Sequence, residues 1–312
     1  MKIVFAGTPE FAILPLQAIV ENGFEVVGVI TQADKPQGRK GILTPPPVKT
    51  LAERLSIPVI QPAKIRDELD AVRALGGELL VTCAYGQILT QAVLDLFPLG
   101  VWNIHAGLLP FYRGASPIQS CIINGEKKTG VSVMKTELGL DTGDILLVEE
   151  TEITPTETYG ELSDRLSHIG ANAIVKALNV LKTGEYTLTK QGEDGATVYR
   201  KIAKEHAKID FAKTATEIVD LVRGSNPAPV AYALFEGGTL NVYLAETADE
   251  FALEDGEIGE VLCDIPKKGL VVKCKEGAVR LLEVQLSGGK RMKGGDFLNG
   301  RKIKKGQVFY AD

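Results

Sequence analysis

Residues 1–106 alternate between short apolar runs and segments of helical periodicity, and this rhythm constrains the fold more than any other feature of the chain. Lys2–Ala6 reads as a buried strand. Gly7 follows, then Thr8 as a helix N-cap and Pro9 as first helical residue, with helical spacing over 10–21. Further strands are predicted at Glu25–Ile30, Pro58–Ile60, Glu78–Cys83 and Val101–His105, with helices at 48–55, 66–75 and 90–96 between them. Apolar strands separated by helices define an α/β architecture with a parallel, doubly wound sheet. Such sheets bind their ligands beyond the carboxyl ends of the strands, so the residues just after each strand are the ones to inspect.

The pattern changes further along. Strands at Thr129–Lys135 and Asp144–Ile153 flank a Gly-rich turn, and 157–182 reads as a long helix with Leu162, Leu166, Ile169, Ala173, Leu178 and Leu181 on its apolar side. Residues 183–210 are polar and interrupted by Gly184, Gly192 and Gly195. A helix at 214–224, the turn at Asn226 to Pro229, and five short strands near 230–235, 239–245, 258–263, 270–274 and 278–286 predict a small C-terminal β-barrel of OB type. The expected division is therefore a domain at 1–189, a linker at 190–209 and a second domain at 210–312, in keeping with 312 residues at about 150 per domain.

The formal charge of -5 argues against a uniformly basic nucleic-acid binder, but the charge is segregated. Residues 236–264 hold nine acidic side chains and no Lys or Arg. Residues 265–312 carry twelve Lys and Arg against four acids, a net of +8, which leaves -13 for the rest of the chain. Solubility accounts for such a distribution, and so does an electrostatic footprint for a polyanion. Cys83, Cys121, Cys263 and Cys274 form no CxxC pair and read as buried, reduced thiols of a cytoplasmic protein. Three His and scattered Cys predict no metal site, and no leader or membrane-spanning run is expected.

The densest signal for chemistry is the stretch from Trp102 to Gly114. Asn103 and His105 stand two apart on a strand that ends there, so they share a face at the ligand end of the sheet. An amide can donate to a developing oxyanion and an imidazole can donate or shuttle a proton. A lone His at a strand end is more often a satisfied polar group; the paired Asn and the Gly- and Pro-containing loop behind it favour function. Asp141, in the turn from Gly139 to Asp144, suits a general base if it faces His105. Spacing alone leaves that open against an Asx-turn role. The long segment Thr31–Lys49 carries Lys35 and places Arg39 and Lys40 between Gly38 and Gly41 at the same end of the sheet, as a phosphate-contacting arm would. Neither a G-x-G-x-x-G nor a G-x-x-x-x-G-K-[ST] motif is present, which removes the support for nicotinamide and P-loop readings.

Taken together, Ile3 to Ala12, Thr31 to Lys49, Ala84 to Leu89, Asn103-x-His105 with Leu108-Leu109-Pro110 and Tyr112-Arg113-Gly114, Thr129 to Val131, Gly139 to Asp144 and Asn226-Pro227 resemble the methionyl-tRNA formyltransferase family over nearly the whole chain. The Asn-x-His and Leu-Asp-x-Gly motifs belong to formyl-folate transferases generally; the basic loop and the C-terminal β-domain point to the tRNA member. The resemblance implies a Rossmann-like formyltransferase domain followed by an OB-like tRNA-binding domain, with 10-formyltetrahydrofolate as donor. The implied acceptor is the α-amine of methionine on initiator tRNA. It also implies a monomer, no metal, and Asn103, His105 and Asp141 as the catalytic trio. By the same resemblance, Gly107, Leu108, Leu109 and Pro110, with Gly86, Gln87, Ile88 and Leu89 beside them, contact folate, and Lys35, Arg39 and Lys40 contact tRNA. Three departures stand out: Gly107 occupies a position where the family usually has Ser, Ala228 replaces an aromatic often found near Asn226-Pro227, and Tyr232 stands where Trp is expected. The competing readings are a formyltransferase acting on a nucleotide-linked amino sugar, a formyl-folate hydrolase, and a non-catalytic tRNA-binding module.

Overall fold

The fold comes from a computed structural model that describes residues 1–38, 41–300 and 303–310. Contacts group the chain into two compact units. One comprises Met1–Pro117, Lys128–Glu152 and Ser163–Tyr199; the other comprises Ile118–Lys127, Ile153–Leu162 and Arg200–Asp312.

In the first unit the strands are β1 (Lys2–Gly7), β2 (Glu25–Ile30), β3 (Lys35–Gln37), β4 (Ile42–Thr44), β5 (Val59–Ile60), β6 (Leu79–Cys83), β7 (Val101–His105), β8 (Arg113–Gly114), β9 (Lys128–Lys135), β10 (Ile145–Glu152) and β11 (Val198–Tyr199). Seven of them form one sheet in the order β10-β9-β7-β6-β1-β2-β5. β5, β2, β1, β6 and β7 run parallel, and β9 and β10 extend the edge as an antiparallel pair. The chain winds outward from β1 to β5, then returns to β6 and continues to β7, so the order reverses between β1 and β6. This is the doubly wound arrangement expected from the βα rhythm, and its reversal opens a crevice at the carboxyl ends of β1, β6 and β7. Ile3, Val4, Phe5, Leu79, Leu80 and Val81 are fully buried because both sheet faces are covered, which is why these strands read as continuous apolar runs. Up to residue 183 the helices are α1 (Ile13–Glu21), α2 (Pro47–Arg54), α3 (Leu69–Ala74), α4 (Gln91–Leu94), α5 (Pro117–Ile123) and α6 (Tyr159–Thr183). Gly170 of α6 lies so close to β7 that a Cβ there would sit 3.1 Å from Ile104.

Thr8 does not cap a helix. Its hydroxyl donates to the Tyr85 carbonyl at 2.9 Å, and Pro9 enters a short 3-10 turn at Glu10–Ala12 before α1 begins. A tertiary hydrogen bond to the loop after β6 thus takes the local cap's place. The segment 31–49 also gains structure of its own: β3 and β4 pair as a short antiparallel hairpin. Its base is tied down by Asp34, which accepts hydrogen bonds from Gln61 and Lys49 that hold its carboxyl below the ordinary carboxylate value.

The second unit contains α7 (Ala215–Gly224), β12 (Ala231–Phe235), β13 (Gly238–Thr247), β14 (Val261–Cys263), β15 (Leu270–Lys273), β16 (Ala278–Leu286), β17 (Met292–Lys293) and α8 (Gly294–Asn299). Thr214 and Glu217 form a reciprocal capping box that starts α7. The sheet runs β12-β13-β16-β15-β14, all antiparallel, with β17 added beside β16. The C-terminal segment closes it: Tyr310 pairs with Leu234 of β12, and Val308 pairs with Glu260 beside β14. A short tail therefore bridges both edges and leaves a barrel-like domain, around Val242, Val272, Leu281, Phe235 and Phe309.

α7 also buries an ion pair. Arg223 Nε donates to Asp220 at 2.7 Å, and Nη1 donates to the Glu157 carbonyl at 3.2 Å. Removing one partner of a buried pair leaves the other charge uncompensated, so Asp220→Ala should destabilise the domain by about 3–5 kcal/mol. A lowered midpoint of urea unfolding checks this.

Candidate active site

β7 delivers Asn103 and His105 to the sheet end, with Asn103 half-buried and His105 buried. Asn103 Oδ1 accepts a hydrogen bond from the Thr82 hydroxyl of β6 at 2.8 Å, which turns the amide NH2 group away from that partner and leaves it as a donor. His105 Nε2 lies 2.9 Å from the Tyr112 carbonyl oxygen. A carbonyl only accepts, so Nε2 carries the proton, and in the neutral ring Nδ1 is the bare nitrogen. Nδ1 faces Asp141 Oδ2 at 3.7 Å. The same carboxylate oxygen accepts from the Gly114 backbone N–H at 2.8 Å. The structure therefore brings Asp141 to His105, settling the geometry that spacing leaves open. A proton gained at Nδ1 would produce an imidazolium directly beside a carboxylate.

The loop from Gly107 to Pro110 is pinned to β9. Ser132 Oγ donates to the Gly107 carbonyl at 2.7 Å and accepts from the Leu109 N–H at 3.3 Å. The Leu109–Pro110 peptide is cis, and Leu109 is buried with Met134 and Ile145. Gly130 makes room for this loop, since a Cβ there would lie 2.6 Å from Leu108 Cδ2 and 2.2 Å from the Glu149 carbonyl. Gly107 itself sits under the imidazole: a Cβ would stand 3.1 Å from His105 Nε2 and 3.2 Å from Pro117 Cβ. The missing side chain gives the His105 ring its present seat.

The 84–89 loop follows β6. Ala84 and Gly86 adopt left-handed backbone angles. The Tyr85 carbonyl accepts from Thr8 and Gln32. Gln87 turns its side chain to the Ile65 N–H and the Pro62 carbonyl, Ile88 projects into solvent, and Leu89 packs onto the apolar cluster around Val93 and Phe97. Lys35 is exposed on β3; Arg39 and Lys40 lie outside the described residues. Cys83, at the end of β6, is fully buried and burial pushes its thiol far above the ordinary value, so it is no nucleophile. A groove of about 850 Å³ lined by Leu79, Phe97, Val101, Trp102 and Tyr186 opens at the start of β6 and β7, the opposite end from His105.

Several residues that build the site escape a reading of the sequence. Ser132 carries one signal: it is a polar residue between Val131 and Val133 in β9, and it is fully buried. Gln191, Thr197 and Tyr199 fall in the polar stretch that reads as linker, yet they pack on the first unit. Thr197 accepts from the Tyr112 N–H at 2.9 Å, its carbonyl accepts from the Arg113 N–H at 2.9 Å, and Tyr199 stacks on Tyr112 with centroids 5.0 Å apart. Tyr112, whose carbonyl meets His105, is thereby held in its left-handed conformation, φ +56°.

An amide donor, an imidazole and a carboxylate at the end of a doubly wound sheet are groups chemically suited to acyl transfer. Two family models match the chain: Formyl transferase over residues 1–178, and Formyl transferase, C-terminal domain, over residues 201–302. The methionyl-tRNA formyltransferase of Geotalea uraniireducens (strain Rf4) is 44% identical over 311 residues, covering 99% of this chain and 97% of its own length. That of Coxiella burnetii (strain RSA 493 / Nine Mile phase I) is 42% identical over 315 residues, covering 100% and 99%. The chain belongs to the methionyl-tRNA formyltransferase family. Among solved structures, the fold matches the methionyl-tRNA formyltransferase from Clostridium thermocellum (TM-score 0.56, 22% identity, 79% of this chain and 93% of that one). It also matches an N-formyltransferase from Helicobacter canadensis in complex with folinic acid and dTDP-3-aminofucose (TM-score 0.67, 20% identity, 89% and 98%). Among the described residues, no helix is long and apolar enough to cross a membrane.

Proposed function

We propose that this protein transfers the formyl group of 10-formyltetrahydrofolate to the α-amine of methionyl initiator tRNA, as a cytoplasmic monomer with an N-terminal catalytic domain and a C-terminal tRNA-binding domain. The observation that carries the reading is the convergence of Asn103, His105 and Asp141 at the carboxyl end of β7. The amine nitrogen attacks the formyl carbon and negative charge develops on the formyl oxygen. The free NH2 group of Asn103 is suited to stabilise that charge. His105 contributes a second donor if substrate draws its Nε2 proton away from the Tyr112 carbonyl. The attacking amine loses a proton to the His105–Asp141 pair, the bond from the formyl carbon to N10 breaks, and N10 takes up a proton. Residues 107–110 and 86–89 contact the folate, and Lys35, Arg39 and Lys40 contact the tRNA.

A side-by-side assay offering methionyl initiator tRNA and a nucleotide-linked amino sugar, with the formyl-folate donor, tests this function. Formyl-methionyl-tRNA is the expected product; transfer to the sugar alone, or release of formate alone, overturns it.

The C-terminal charge supports tRNA binding after internal pairing is subtracted. Arg280 pairs with Glu246 and Glu250, Arg291 with Glu283, and Lys305 with Glu254. Lys267, Lys268, Lys275, Lys290, Lys293 and Lys304 have no acidic partner within 4 Å among the described residues. A phosphate contact made by a lysine contributes about one unit to the slope of log affinity against log salt. The Lys290→Ala/Lys293→Ala variant should therefore bind tRNA more weakly and flatten that slope by about 1–2 units, as read by filter binding across a salt series.

A further inference from the structure

Asp141 holds a left-handed backbone, φ +54°, a conformation that disfavours any residue with a Cβ and persists only where its surroundings enforce it. One side chain bridges the turn. Gln191 Nε2 donates to the Asp141 carbonyl at 2.9 Å and to the Gly143 carbonyl at 2.7 Å, so it straddles the turn. Its other end, Oε1, accepts from Arg113 Nε at 3.1 Å. Arg113 is 4% exposed, and its guanidinium can only donate, so it dictates which way the Gln191 amide faces: oxygen to the guanidinium, NH2 to the two carbonyls. The segment leading to Gln191 is tied to the start of β10, because Thr189 and Ile145 exchange both backbone hydrogen bonds at 2.8 Å. Gly143 adds the steric half, since a Cβ there would lie 1.8 Å from the Lys135 carbonyl and the turn cannot carry a side chain at that point.

We infer that Gln191 is a positioning residue: it sets the Asp141 carboxylate against His105, and Arg113 orients it for that task. This rests on the proposed role of Asp141 in accepting the amine's proton. The substitution Gln191→Glu separates positioning from simple support. The oxygen facing Arg113 remains and gains charge, so the contact with the buried guanidinium strengthens, but the NH2 donor becomes an oxygen facing two carbonyl oxygens. The turn must then shift. A shift on the scale of 1 Å at a catalytic group costs up to about 100-fold, so kcat should fall about 10- to 100-fold. KM for both substrates should stay within about twofold, so that the loss falls on kcat.

The test is a double-mutant cycle with Asp141→Asn, using single turnovers of the full-length protein with 10-formyltetrahydrofolate and methionyl initiator tRNA. Gln191→Ala serves in parallel in case the Gln191→Glu variant does not fold. If Gln191 acts through Asp141, its replacement costs less than about twofold once Asp141 is already replaced by Asn. Additive losses, or a fully active Gln191→Glu protein, overturn the inference. An Asp141→Asn protein of normal activity instead overturns the reading of Asp141 on which it rests.

Discussion

Replacing His105 with Ala is expected to lower kcat about 1,000-fold while KM for the tRNA changes by less than about threefold. The ring is buried at the end of β7, between the Tyr112 carbonyl and Asp141, and its nearest partners are parts of the same unit. In the proposed reaction its removal takes away the nitrogen that handles the amine's proton, and a positioned acid–base group contributes about 10²- to 10⁴-fold. It also removes the hydrogen bond from His105 to the Tyr112 carbonyl, a loss of about 0.5–1.5 kcal/mol of stability. The variant should still fold, because that loss touches none of the strand pairing. Steady-state kinetics paired with thermal melting separate these contributions. A rise in KM with kcat unchanged would show that His105 binds substrate rather than assisting the reaction.

Asn103→Ala is expected to reduce kcat about 100- to 1,000-fold, the range found when a single oxyanion donor is removed from an enzyme site. Thr82 offers a second probe of the same role. Its hydroxyl engages Asn103 Oδ1 and so selects which end of the amide faces the crevice. Thr82→Val conserves shape, removes that selection and should cost about tenfold, less than deletion of the amide itself. An Asn103→Ala protein retaining more than a fifth of wild-type kcat would remove Asn103 from the mechanism.

Much of this site is legible in the sequence because strand periodicity is strict. β7 has the predicted bounds, Val101–His105, and side chains two apart on a strand must share a face, so Asn103 and His105 pair without any coordinates. The apolar runs of β1 and β6 likewise announce strands buried on both faces. Thr8 departs from its expected role because its local sequence is a good cap, while the hydroxyl finds a better partner in Tyr85, 77 positions away. The stretch around Gln191 and Thr197 looks featureless for a related reason. Its residues contact the site through polar side chains and backbone, which impose no hydrophobic period.

Spacing and composition along the chain are enough to establish the sheet type, the face shared by Asn103 and His105, the segregation of charge between 236–264 and 265–312, and the family resemblance. These are local or compositional properties. The folded chain was needed to show that Asp141 meets His105 across 36 positions of sequence, and that Ser132 pins the Gly107–Pro110 loop. It was needed again to show that Gln191 braces the Asp141 turn and that residues 308–310 close the barrel. Each of these joins a single polar or backbone group to another far along the chain. Such a contact is chosen by the packed backbone, which brings donor and acceptor within about 3 Å or leaves them apart, and no pattern in the neighbouring residues records the choice.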